Sequence, residues 1–387
     1  LLEHTSEWEY RFSFDESYLS ISKERPVLGQ LFEDRKPFDI ATTGHVPIWF
    51  SHLLPQARLR RAIAQQLGVD EDDEFDLLQF LGSDLPGAVR LGVGQPRLSH
   101  EPPPLPTPNP IDTQNLRVAL AGMQWKLSVR PGDRGWTVPV QGETGSYIAK
   151  FYDPTFKDLP RVEFATTLWA RAAQIPLPDF RQAHISEFAA LPTAIPTGDG
   201  TVFLTQRFDR VPSGGRVHIE DFAQVLDRPP GTSQYGGRYE HLSTFLGSTT
   251  PEDVRPFCER LVFCILCGNT DAHLKNWSII YPDGHTPRLS PAYDLVSSVI
   301  YAPHEITDDL ALSIGESRLF EDVRLDSFQL LAQTSGYSFD EVASWVSIMA
   351  QRVRDAWQQE ASHLPLQVSE RKRIEEHLAR VPLANGG

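Results

Sequence analysis

Apolar and polar positions alternate with two different periods along this chain. Near its start, Trp8-Glu9-Tyr10-Arg11-Phe12-Ser13-Phe14 alternates at every second residue, which predicts a strand with one buried face. Tyr18-Leu19-Ser20-Ile21-Ser22 predicts a second strand. Helical spacing follows over 47–67 and 75–81, and residues 85–91 predict a turn leading into a strand. Residues 116–129, 147–151 and 201–208 predict further strands, with turns at Pro131-Gly132-Asp133 and near Gly142. Val162, Ala165, Leu168, Trp169 and Ala172 recur at helical spacing behind Pro160, a residue suited to a first helical turn. From Ile219 onward helices dominate, over 219–226, 239–246, 251–267 and several stretches between 327 and 381.

Proline density supplies the clearest break. Glu101-Pro102-Pro103-Pro104-Leu105-Pro106-Thr107-Pro108-Asn109-Pro110 can form neither a helix nor a central strand, so an extended linker is expected there. The expected division is an N-terminal α+β subdomain over 1–100, a linker over 101–115, a strand-rich lobe over 116–210 and a helical lobe over 211–387.

Chemistry concentrates where the helical pattern stops. The apolar run ending at Cys267 meets Gly268, a residue suited to a left-handed helix cap. Asn269-Thr270-Asp271-Ala272-His273-Leu274-Lys275-Asn276 follows as a polar loop, then Trp277-Ser278-Ile279-Ile280-Tyr281 as a strand, then a turn and Asp294. Phosphoryl transfer needs a carboxylate to orient the attacking hydroxyl, oxygen ligands for magnesium on the triphosphate, and a cation near the transferred group. Asp271 and Asn276 lie five residues apart on one loop, with a second carboxylate downstream, as in protein kinases. In that reading Asp271 is the base, Asn276 and Asp294 hold magnesium, and Lys275 or His273 lies near the phosphates. A strand-rich lobe before a larger helical lobe is also the order of a two-lobed kinase. The bland alternative is a polar loop that merely ends a buried helix.

Composition narrows the partners. A formal net charge of −15 opposes non-specific approach to a phosphate backbone, so no direct DNA binding is expected, although a basic partner could bring the chain to DNA. Arg58-Leu59-Arg60-Arg61 reads as a solvated helix face. No apolar run approaches the ~18 residues of a membrane span. The opening residues carry no signal-peptide pattern, and the absent Met suggests a trimmed N-terminus. The three cysteines, all within 258–267 on an apolar helical pattern, read as buried reduced thiols, and a cytoplasmic location is expected.

The chain resembles the HipA family, the serine/threonine-kinase toxins of bacterial toxin–antitoxin pairs, over nearly its whole length. Residues 269–276 resemble the family's catalytic loop, and Pro291-Ala292-Tyr293-Asp294-Leu295 its metal-binding segment. Leu120-Ala121-Gly122-Met123-Gln124-Trp125-Lys126-Leu127 resembles its phosphate-side loop, and Gln206-Arg207-Phe208-Asp209-Arg210 its interlobe hinge. His218-Ile219-Glu220-Asp221-Phe222, Arg238-Tyr239-Glu240, Leu53-Leu54-Pro55 and residues 85–89 also have counterparts.

The resemblance implies an α+β, two-lobed protein-kinase-like fold with a mostly helical C-terminal lobe and an extra N-terminal subdomain. It implies ATP and Mg2+ as cofactors. Lys150 would pair with the phosphates and with Glu163. Gly122, Gln124 and Lys126 would lie beside the phosphates. Gln206 and Phe208 would meet adenine, and Asp209 the ribose. It further implies a DNA-binding antitoxin partner and a translation-linked protein substrate such as an aminoacyl-tRNA synthetase.

Two departures stand out. Ala119 occupies the position where many family members carry a serine whose autophosphorylation ejects the phosphate-side loop, so that off-switch is absent there. Gln206 stands where an acidic residue is common. Gly92-Val93-Gly94, and Gly142 with Gly145, lack the third glycine and the setting of a nucleotide fingerprint, and read as turns. Two competing functions fit part of the pattern. Small-molecule phosphotransferases share the Asp-x4-Asn loop, and a kinase-fold co-repressor without catalysis would keep the fold but has no need of Lys150, Asp271, Asn276 and Asp294 together.

Overall fold

The computed structural model describes residues 1–6, 8–21, 24–35, 39–92, 124–139, 144–189, 191–211, 214–301 and 309–386. The proline-rich stretch, Ala119 and Gly122 lie outside the described residues.

Three strands open the chain: β1 (Leu2–Ser6), β2 (Glu9–Ser13) and β3 (Asp39–Thr43), antiparallel in the order β1-β2-β3. The alternation around Phe12 thus forms a central strand. The strand expected over 18–22 does not form over its described residues, 18–21. Asp15 accepts the Ser17 N–H at 2.9 Å and starts a helical turn instead, α1 (Glu16–Leu19). Four short helices complete this part: α2 (Gln30–Arg35), α3 (Ile48–Ser51), α4 (Ala57–Leu67) and α5 (Glu74–Leu81). On α4, Leu59 is buried, while Arg60 and Arg61 reach Glu74 and Glu71.

Residues 85–91 also form no strand. Their carbonyls are taken by guanidinium groups rather than by a neighbouring strand: Arg210 donates to Leu85 at 2.8 Å and to Gly87 at 2.9 Å, and Arg216 donates to Val89 at 3.3 Å. Buried carbonyls need a donor, and arginine supplies it here.

The next lobe is a five-stranded sheet ordered β5-β4-β6-β8-β7, from β4 (Lys126–Gly132), β5 (Gly135–Thr137), β6 (Tyr147–Lys150), β7 (Phe180–His184) and β8 (Thr201–Gln206). Helix α6 (Leu159–Ala172) packs beside β8, with a proline in its first turn. Leu127, Ala149 and Leu204 of this sheet share one apolar core with Phe12, Trp49, Leu77 and Leu81, so the described N-terminal elements and the sheet are packed as a unit.

The last lobe is mostly helical: α7 (Phe222–Val225), α8 (Tyr239–Thr249), α9 (Val254–Cys267), α10 (Gln329–Ser335), α11 (Phe339–Glu360) and α12 (Val368–Arg380). A small sheet ordered β11-β10-β9 joins β9 (His218–Asp221), β10 (Ser278–Tyr281) and β11 (Arg288–Leu289). The helix expected to begin at Ile219 starts only at Phe222, because residues 218–221 pair antiparallel with 278–281 and Asp221 then caps α7 in a reciprocal box with Gln224. Helix α9 is buried on nearly all sides, and its three cysteines are free thiols. The architecture is a two-lobed, protein-kinase-like α+β fold with an added N-terminal α+β part. No helix among the described residues is long and apolar enough to cross a membrane.

Candidate active site

The site begins at the end of α9. Gly268 adopts φ 69°, and the N–H groups of Gly268 and Asn269 close the cap on the carbonyls of Ile265 and Cys264 at 3.2 and 2.9 Å. A Cβ at Gly268 would lie 2.4 Å from Cγ2 of Val299, so both backbone angle and packing demand glycine. The polar loop that follows is held by its own groups. Asn269 Oδ1 accepts the Asp271 N–H at 2.9 Å, and Ser298 Oγ accepts the Thr270 N–H at 2.8 Å. His273 Nδ1 accepts the Lys275 N–H at 3.1 Å. Asn276 Nδ2 donates to the Asp271 carbonyl at 2.7 Å, and both Tyr239 Oη and Trp277 Nε1 donate to the Ala272 carbonyl at 3.1 Å. Asp271 and Asn276 both border the cleft between the lobes, and the Asn276 side-chain oxygen has no hydrogen-bond partner among the described residues.

Between the lobes lies a cleft of ≈ 670 Å3. Its upper wall carries two lysines placed directly opposite one another, Lys126 on β4 and Lys150 on β6. Like charges across a ladder repel, and both ammonium groups are buried, so the arrangement needs anions. Lys150 is ion-paired with both Glu163 on α6 and Asp294. The burial of Asp294 works against its charge, yet Lys150 and Lys126 outweigh it and hold the carboxyl down to about 2. Burial pushes Glu163 the other way, up to about 7, although Lys150 opposes the shift. Lys126 has no ion pair among the described residues, and burial lowers its pKa against the pull of Asp294. Gln124 Nε2 is buried with no hydrogen-bond partner among the described residues. An orphaned donor and an unpaired buried ammonium in one cleft fit the oxygens of a polyphosphate.

Asp294 has φ 52°, an uncommon angle for a residue with a side chain. Among the described residues no three His, Cys, Asp or Glu side chains form a closed metal cage. The open donor set of one carboxylate and the Asn276 amide oxygen instead fits a hard cation that completes its shell with phosphate and water.

The Asp271 side chain is 56% accessible, because it faces the open cleft, but the protein around it raises its pKa by desolvation. Solvent in the cleft tempers that shift. Tyr235 Oη lies 3.2 Å from Asp271 Oδ1, and the Tyr235 ring packs edge-on against His273. His273 Nε2 is 3.6 Å from the same carboxylate, and burial lowers its pKa, so the ring is neutral near pH 7.

At the far end, Gln206 closes β8 and Phe208 follows in a turn, its ring 5.7 Å from that of Tyr293. The peptide N–H and C=O of Phe208 have no partner among the described residues. Asp209 borders the cleft, but its carboxylate already accepts from Arg207, Arg210 and the Gly87 N–H. Asp84 joins the same buried cluster through Arg207 and Arg210. Lys275 also lines the cleft, with its ammonium bonded to Asp221 and His52.

The cleft therefore gathers Gln124, Lys126, Lys150, Gln206, Phe208, Asp209, Asp271, His273, Lys275, Asn276 and Asp294. Gly122 lies outside the described residues. Tyr235, Ser298 and His52 carry no motif in the sequence reading, and Asp221 enters it only within the 218–222 segment, with no role of its own. Only Tyr235 has a local signal, the two glycines after it, and that signal is weak.

Residues 118–357 match the family model described as the HipA-like C-terminal domain, and residues 1–92 match the HipA N-terminal domain. A Sinorhizobium fredii protein named "Putative kinase Y4dM" is 36% identical over 386 residues, which is 96% of this chain and 92% of that protein. The "Serine/threonine-protein kinase toxin HipA" of Shewanella oneidensis is 25% identical over 334 residues, 76% of this chain and 72% of its own. Among solved structures, a chain of the Shewanella oneidensis MR-1 toxin–antitoxin complex of HipA, HipB and operator DNA aligns with a TM-score of 0.65. It covers 88% of this chain and 84% of its own at 20% identity, a likeness of fold.

Proposed function

Because this chain belongs to the HipA family, we propose that it is an ATP- and Mg2+-dependent serine/threonine-protein kinase, the toxin of a bacterial toxin–antitoxin pair, which phosphorylates a translation-related protein and so arrests growth. One observation carries the chemistry: Lys126, Lys150, Asp294, Asn276 and Asp271 line a single cleft between the lobes.

In this reading the free peptide groups of Phe208 meet the adenine edge beside Gln206. Lys150, Lys126 and the unpartnered Gln124 amide bind phosphate oxygens. Asp209, tied to two arginines, shapes the wall next to the ribose. Asp294 and the Asn276 oxygen would hold magnesium, which when bound neutralises phosphate charge. Asp271 orients the incoming hydroxyl and accepts its proton. Its raised pKa makes it a better base than an ordinary aspartate. His273 stays neutral beside it.

The net charge of −15 suits a division of labour in which a basic antitoxin contacts DNA. The complex of HipA with HipB and operator DNA in the Shewanella relative supports such a partner. The test is phosphoproteomics after induction of the wild-type chain beside Asp271→Asn. New phosphoserine or phosphothreonine sites on a translation protein, present only with the wild type, are expected. Identical phosphoproteomes would overturn the proposal.

A further inference from the structure

The Lys275 ammonium has three N–H donors, and three acceptors meet it: Asp221 Oδ2 at 2.7 Å, His52 Nδ1 at 3.1 Å and the His52 carbonyl at 3.1 Å. The side chain is 3% exposed. Nothing in it is left over for a phosphate, despite its place beside Asn276. We infer that His52, from the N-terminal part of the chain, is a positioning residue for the catalytic loop, fixing Lys275 against Asp221 so that the loop takes its shape only when that part is docked. The consequence for turnover rests on the kinase reading above.

The tautomer of His52 follows from its neighbours. Its Nε2 lies 2.6 Å from the Arg228 carbonyl, which can only accept, so Nε2 carries the proton. Nδ1 is then a lone pair, and the ammonium of Lys275 supplies the hydrogen. Burial, with the Lys275 charge second, pushes the ring's pKa down to about 4, which agrees with a neutral ring. Asp221 is fixed independently, since its Oδ1 caps α7 by accepting the Gln224 N–H at 2.9 Å.

Lys275 transmits this anchoring. Its N–H is bonded to His273 Nδ1, and its carbonyl accepts from Tyr293 Oη at 2.9 Å, next to Asp294. Asn276 follows directly and bonds Asp271. A shift of Lys275 therefore moves the base, the metal-side amide and their spacing together. The docking around His52 is continuous: Trp49 Nε1 donates to Glu220 at 2.7 Å, Gln224 Nε2 donates to the Trp49 carbonyl at 3.1 Å, and His218 Nε2 donates to the Leu28 carbonyl at 2.7 Å.

Two substitutions separate the contacts of His52 in the full chain. His52→Asn keeps an acceptor near Nδ1 and loses the Arg228 contact. His52→Gln keeps a donor near Nε2 and loses the side-chain acceptor for Lys275, leaving only the carbonyl of residue 52. Amide exchange over 269–277 is read by mass spectrometry, together with phosphate release from Mg-ATP. His52→Gln is expected to speed exchange in that segment and to lower kcat about tenfold, with KM for ATP changed less than about twofold, because a small misplacement of reacting groups costs rate more than binding. His52→Asn is expected to restore both toward wild type. Unchanged exchange in His52→Gln overturns the inference whatever the turnover. A wild-type chain with no Asp271-dependent turnover counts against the kinase reading instead, and the exchange result still decides the anchoring.

Discussion

Asn276 Nδ2 donates to the main-chain carbonyl of Asp271 at 2.7 Å, so the five-residue spacing between them is closed by a hydrogen bond across the loop. The amide can satisfy the carbonyl with its nitrogen while its oxygen faces the cleft. Aspartate cannot do both. Asn276→Asp sets a carboxylate against a carbonyl and should lower phosphate transfer about 100-fold through misorientation of the loop. Steady-state turnover measures this, and a variant with wild-type kcat would show that the bond is dispensable.

The ion pairs of Lys150 predict a separation of stability from activity. Lys150→Met leaves Glu163 and Asp294 facing each other without the cation, and removing one partner of a buried pair typically costs about 3 kcal/mol or more. Adding Glu163→Gln removes one of the two stranded carboxylates. Chemical denaturation should show the double variant recovering much of the lost stability, while phosphate transfer stays absent in both. Recovery of activity in the double variant would contradict the role given to Lys150.

Much of this site was legible in the residues. The cap at Gly268 and the Asp271–Asn276 spacing depend on local geometry, whereas the pairing of Lys150 with Glu163 is expected from the family resemblance alone. What was hidden depends on distant partners. Residues 85–91 read as a strand because nothing local reveals that Arg210 and Arg216 will take their carbonyls. Ile219 reads as helical because its pairing with Ile280 lies far along the chain. His52 and Asp221 carry no local mark of their meeting at Lys275, since a lone histidine in a helical stretch is ordinary.

Glu220 gives a pH prediction with a definite sign. Its buried carboxyl accepts from Trp49, Tyr281 Oη at 2.5 Å and the Gln30 N–H at 2.9 Å, and burial pushes its pKa from near 4.5 up to about 7. A group raised on folding contributes stability that is full below the unfolded value and lost as pH rises through the folded value. Glu220→Gln removes that loss. Compared with wild type, the variant should therefore gain stability as pH rises from about 4.5 to about 7, by roughly 1 kcal/mol per pH unit, and level off above. The buried His52 and His218, both held down to about 4, act oppositely in both proteins and cancel in the difference. Parallel stability curves would contradict the assignment.

Protein phosphorylation by this chain is tested with the purified chain, Mg2+, ATP labelled at the γ-phosphate and a bacterial lysate, with Asp271→Asn as the control. Labelled protein bands that yield phosphoserine or phosphothreonine are expected with the wild type, and none with Asp271→Asn, which should still bind ATP. Label confined to small metabolites, or label that persists with Asp271→Asn, would contradict the kinase reading.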